Sequence, residues 1–147
     1  MRLIRRFGGA VAALTMALSV AHAFAAEEIT VFKSSTCGCC EKWIAHLRTN
    51  GYDVRVSNVE AMDAVKVRFN VPAEMSSCHT AVIAGYVIEG HVPASDIQRL
   101  LKEKPKVAGL AAPGMPPGAP GMEGPRTEPY SVMSFTKDGA SAVYAKH

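Results

Sequence analysis

The sequence predicts an α/β fold with the element order β-α-β-α-β-β-α, followed by a Gly/Pro-rich loop and a C-terminal β-hairpin. Three observations carry that expectation. Short apolar, β-branched runs alternate with helical patterns along the chain. The link between the first two predicted strands passes through a helix, as a parallel crossover requires. Where the first strand meets that helix lies "TCGCC", Thr36 to Cys40, which holds three of the four cysteines in the 147-residue chain.

Taken in order, Ile29 to Phe32 is short, apolar and β-branched, and reads as a buried strand. The cysteine turn follows. A helix then runs from about Cys40 to Asn50, with Trp43, Ile44 and Leu47 on one face and Asn50-Gly51 as a stop signal. Tyr52 to Val56 is the second strand. Ala61 to Phe69 is the second helix, ended by Asn70 and Pro72. Thr80 to Ala84 and Tyr86 to Glu89 are two short strands joined at Gly85. Ala94-Ser95-Asp96 opens a third helix, which runs to about Lys104. In Pro105 to Pro125, eleven of 21 residues are Gly or Pro, a composition that argues against a helix or an interior strand. Tyr130 to Phe135 and Ala140 to Ala145 flank Lys137-Asp138-Gly139, a hairpin turn.

Met1 to Ala26 reads as a secretory signal peptide, with Arg2, Arg5 and Arg6 before an apolar stretch and Ala-X-Ala cleavage signals at Ala21 to Ala25. An uncleaved membrane anchor is the alternative for that segment. Residues 27–147 then form one domain, of which 105–147 are the loop and hairpin. All 13 acidic residues and 13 of the 16 Lys and Arg lie after Ala26, so the mature part carries no net formal charge. Nothing in that balance directs it to nucleic acid or an anionic membrane. The expected location is the periplasm, with no membrane span once the signal is removed.

An exported chain meets an oxidising environment, where four cysteines could form two structural disulfides. The spacing argues otherwise. Adjacent Cys39 and Cys40 cannot easily both be bridged within one tight turn. Clustered thiols fit redox work or soft-metal binding better. A Cys-X-X-Cys beside a βαβ unit is the cue for a thioredoxin-like domain, and the order of elements resembles thioredoxin-like and glutaredoxin-like domains. In glutaredoxin-type chains a Thr-Val-Pro segment precedes the third strand, its cis-proline facing the dithiol. Here the comparable place reads Ser77-Cys78-His79.

Thiolate is the form of cysteine that reacts and binds metal, and a helix N-terminus favours it. As a redox site, Cys37 would attack and Cys40 resolve, leaving Cys39 and Cys78 idle. As a metal site, Cys37, Cys39, Cys40 and Cys78 are all used, and such soft ligands favour Cu(I) or Zn(II). Met115 and Met122 tilt the choice to Cu(I), because thioethers are poor zinc ligands. His79, beside Cys78, and His91, in "EGHVP", are nitrogen candidates of second rank with the two methionines. The blander readings are packing for the methionines, a core role for Trp43, and a favourable dipole position near a helix C-terminus for His46. The Gly/Pro-rich loop is expected to fold back over the cysteine turn and cover the metal.

The segments "CGCCEKW", "SCHTA", "YVIEGHVPA", "GLAAPGMPPGAPGME" and the terminal "YSV…F" together resemble the CopG-type family of periplasmic copper-resistance proteins, in order from about Ile29 to the C-terminus. The resemblance implies a thioredoxin-like fold, a copper site on the Cys-X-Cys-Cys element, and a place in copper export or detoxification beside copper-transfer or efflux proteins. Ala119 departs from the pattern, where serine is expected. The resemblance does not decide whether the metal is stored, passed on, or oxidised and reduced. The competing readings are a thiol–disulfide oxidoreductase without stable metal and a disulfide module that binds a partner protein.

Overall fold

The computed structural model describes residues 27–147. The signal-peptide reading of residues 1–26 lies outside the described residues. Strand β1 (Glu28–Lys33) leads through the cysteine turn into helix α1 (Gly38–Thr49), then β2 (Asp53–Asn58), α2 (Met62–Arg68) and a single 3₁₀ turn at Ala73–Met75. The hairpin β3 (Thr80–Ile83) and β4 (Tyr86–Gly90) is followed by α3 (Ala94–Glu103), β5 (Gly109–Ala112), β6 (Ser131–Phe135) and β7 (Ser141–Lys146). The sequence places each of these helices and strands except β5 to within a few residues, and does not place the 3₁₀ turn at Ala73–Met75.

All strands join one mixed sheet in the order β2-β1-β3-β4-β5-β6-β7. The two parallel pairs, β1 with β2 and β4 with β5, are those spanned by a helix, α1 and α3 respectively. The remaining pairs are antiparallel. On one face, Trp43, Ile44 and Leu47 of α1 and Ile97 and Leu100 of α3 pack on Ile29, Val31, Ile88 and Leu110 of the sheet. Each is buried to 1 % exposure or less, which stabilises the fold by about 1.5–3 kcal/mol for a large aliphatic side chain. The opposite face carries a smaller cluster of Met75, Val87, Ala111 and Phe135, with Phe69 packed against it. Among the described residues no helix is long and apolar enough to cross a membrane.

β5 corrects the expectation that Pro105 to Pro125 contains no interior strand. Gly109 to Ala112 lies fifth of seven, fully buried and paired on both sides. The prolines flank this stretch and leave its four backbone N–H groups intact. Its small side chains fit the crowding: a Cβ on Gly109 would stand 2.0 Å from the Val87 carbonyl oxygen. Through β5 the C-terminal hairpin becomes part of the main sheet rather than an appendage. Arg99 of α3 donates to the Tyr144 carbonyl at 2.7 Å and lies over the Tyr144 ring, tying β7 to the helical layer.

Candidate metal centre

The turn between β1 and α1 presents three sulfurs at one end of the sheet. Its closure depends on the Cys37 N–H donating to the Ser34 carbonyl at 3.1 Å. Its two ends are joined by Lys33, buried at the end of β1, whose Nζ lies 2.7 Å from the Glu41 carboxylate in the first turn of α1. The loop before β3 brings Cys78 opposite. Cys37 and Cys40 are joined as a disulfide, while Cys39 and Cys78 are free thiols. Cys39 Sγ stands 3.6 Å from Cys37 Sγ and 3.8 Å from Cys78 Sγ, and Cys78 Sγ is 3.7 Å from Cys40 Sγ. The four sulfurs form a closed ring within 4.8 Å of one another, with only Cys40 fully buried. Burial, then the neighbouring Cys39, pushes the Cys78 thiol up to about 12.

Two histidines complete the cluster in different ways. His91 Nδ1 lies 2.8 Å from the Pro120 carbonyl, which only accepts, so Nδ1 carries the proton. Nε2 then carries the lone pair and accepts from the Cys78 thiol, its Sγ 3.2 Å away, in the tautomer a metal ligand needs. Burial holds His91 below its ordinary value, against the Pro120 bond and Glu123. His79 is fully buried, packed on the Trp43 ring at 4.3 Å, with Nδ1 3.3 Å from Cys78 Sγ. Its Nε2 has no hydrogen-bond partner among the described residues. An orphaned lone pair costs less than an orphaned N–H, so the proton belongs on Nδ1, donated to the Cys78 sulfur. Burial, followed by His91 and Lys66, lowers His79 to about 3.

The loop carrying Cys78 and His79 is stapled from behind. Glu89 of β4, fully buried, accepts the Ser77 N–H at 2.7 Å and the Thr80 hydroxyl at 2.6 Å, one residue outside Cys78-His79 on each side. Lys66 of α2 pairs with the same carboxylate. Burial raises the Glu89 pKa, and the Lys66 and Thr80 bonds oppose it. Gly90 then makes the close approach: φ is +71°, and a Cβ there would lie 2.4 Å from Ser77 Oγ. Its N–H donates to the His79 carbonyl at 3.0 Å. Lys33, Lys66, Glu89 and the Pro120 carbonyl escaped the sequence reading. Lys66 and Glu89 are 23 residues apart, and only the docking of α2 behind β3 and β4 makes them neighbours.

The Gly/Pro-rich loop returns to the cysteine turn. Gly114 N–H donates to the Ser76 carbonyl at 3.0 Å. Gly121, at φ +85°, lies so close that a Cβ would be 2.8 Å from both the Cys39 carbonyl oxygen and the Trp43 nitrogen. Met122 is partly buried, whereas Met115 is 53 % exposed. Trp43 is core, its Nε1 donating to the Val92 carbonyl at 2.9 Å. His46 Nε2 accepts the N–H of Ala94, the first residue of α3, at 3.1 Å.

A family model described as a protein of unknown function, DUF411, matches residues 75–122, the stretch that carries Cys78, both buried histidines and the loop. Two solved structures of the copper resistance protein CopG, forms 2 and 1, are each 46 % identical to the chain. Each match covers 84 % of this chain, with TM-scores of 0.80 and 0.79, and 99 % and 98 % of the respective CopG chains. The chain belongs to the CopG copper-resistance family. None of the curated proteins matches it. In this CopG-family chain the cluster of four sulfurs, with the His91 Nε2 lone pair beside it, offers a donor set suited to a thiophilic metal.

Proposed function

We propose that the protein binds Cu(I) in the periplasm and acts in copper resistance. The observation that carries the reading is the ring of four sulfurs with the His91 Nε2 lone pair facing it. Cys37, Cys39, Cys40 and Cys78 are the ligands, once the Cys37–Cys40 bridge is reduced. His91 is the nitrogen donor beside them. His79 acts through its Nδ1–H on the Cys78 sulfur, holding negative charge there. Met115 and Met122 supply thioethers of second rank from the overlying loop. The signal peptide read in residues 1–26 supports the periplasm, and transfer or efflux proteins are the expected partners for the copper. The β2-β1-β3-β4 half of the sheet, with α1 and α3 on one face, supports a thioredoxin-like origin for the fold.

A second reading, thiol–disulfide exchange by Cys37 and Cys40, is favoured by one observation, their bridge at the start of α1. Against it stands Cys78, with no proline, at the place where glutaredoxin-type chains carry the cis-proline. Anaerobic competition of the reduced protein against a Cu(I) chelator, with a parallel zinc titration, decides. Cu(I) is expected to bind far more tightly than Zn(II), because thiolates and thioethers are soft. Equal or tighter zinc binding at the cysteines would sink the copper reading.

A further inference from the structure

With Cys37 and Cys40 bridged, the two remaining sulfurs are not idle bystanders. Cys39 Sγ and Cys78 Sγ face each other at 3.8 Å, in van der Waals contact. A disulfide needs them at about 2 Å, so each sulfur moves by about 1 Å. Their alternative partners, Cys37 and Cys40, are already taken by one another. Because Cys78 comes from the loop before β3, bridging Cys39 as well as Cys40 does not require both partners to lie within the one tight turn. Cys78 cannot swing away easily, because Glu89 holds Ser77 and Thr80, and Gly90 holds the His79 carbonyl. A thiol pair held in contact reacts as if at very high concentration.

We propose that Cys39 and Cys78 are a second redox-active dithiol, so that the centre gives up its electrons in two steps and closes two crossed bridges, Cys37–Cys40 and Cys39–Cys78. The oxidant is the cupric ion. In each step two S–H bonds break and one S–S bond forms. Two electrons pass to two Cu(II), giving two Cu(I), and two protons pass to water. The fully oxidised ring has no thiolate left, so it no longer holds Cu(I). The reduced ring captures copper, and the oxidised ring lets it go. This rests on the copper reading for its oxidant, but not for the bridge itself.

The test uses reduced, metal-free protein under anaerobic conditions, treated with excess Cu(II) in the presence of a chromophoric Cu(I) chelator. A second arm uses diamide, which forms disulfides without metal. The parent is expected to yield four Cu(I) per chain, as its four cysteines allow, and to end with no alkylatable thiol in either arm. The Cys37→Ser/Cys40→Ser double variant is expected to yield two, with an intramolecular Cys39–Cys78 peptide in the mass map. Cys39→Ser is expected to stop at two and leave Cys78 open to iodoacetamide. A parent that stops at two with Cys39 and Cys78 alkylated overturns the proposal, as does a double variant that bridges only between chains. If the double variant is unfolded by circular dichroism, the thiol count and peptide map of the parent decide. Loss of the second bridge with tight Cu(I) binding intact refutes this proposal alone. Zinc preference with both bridges formed in diamide refutes the copper reading alone.

Discussion

At His91 a single carbonyl decides what a side chain can do. The Pro120 oxygen accepts the Nδ1–H and so leaves the Nε2 lone pair facing Cys78. Replacing His91 by Gln is expected to weaken Cu(I) binding roughly 10–100-fold, the scale on which metal-site partners act. Chelator competition beside the parent measures it, and an unchanged affinity removes His91 from the ligand set. His79 makes a different demand. Its folded value of about 3 lies below the ordinary 6.5, so the unfolded chain binds the proton more readily between those two values. Stability of the metal-free protein is therefore present above pH 6.5 and is lost as pH falls toward 3. The loss is on the order of a few kcal/mol. Denaturant titrations across that window are expected to show the fall, and His79→Phe, which keeps a ring against Trp43, is expected to flatten it.

The elements matter through the way they hold one loop. Strand β4 carries Glu89, helix α2 carries Lys66, and together they staple the residues flanking Cys78-His79. Glu89→Ala leaves the Lys66 ammonium, 12 % exposed, without its counter-charge. Breaking a buried pair from one side costs about 3–5 kcal/mol, so a lower midpoint in urea is expected, with the Cys78 loop loosened. Glu89→Gln keeps an acceptor for Ser77 and is expected to cost less. If both variants unfold like the parent, the carboxylate is not what fixes the loop. The sequence announced α1, α2, α3 and the hairpins because apolar periodicity and stop residues are local signals. It hid β5, since composition averaged over Pro105 to Pro125 masks four residues free of proline.

For the molecule as a whole, the centre links two parts of the chain that the fold brings together, the start of α1 and the loop before β3. Metal bound there stabilises the folded state by mass action, about 4 kcal/mol when free ligand is a thousand times Kd. For a chain of this size that raises Tm by roughly 10 °C. Scanning calorimetry of the reduced protein, with and without Cu(I), is expected to show the rise. Removing the metal with a chelator is expected to reverse it, and a Tm indifferent to Cu(I) would place the metal elsewhere.

By itself the sequence determined the donor chemistry and the local order. Three cysteines within four residues, Cys78-His79 ahead of a strand, and His91 in a turn are statements about neighbours along the chain. Tertiary structure alone decided the rest. It set Cys78 against Cys39, gave His91 its tautomer through a carbonyl 29 residues away, and put Glu89 behind the loop. The physical reason is range. Capping, periodicity and turn chemistry act over a few residues, whereas hydrogen bonds and sulfur contacts need ångström placement. Only sheet register and helix docking supply that placement.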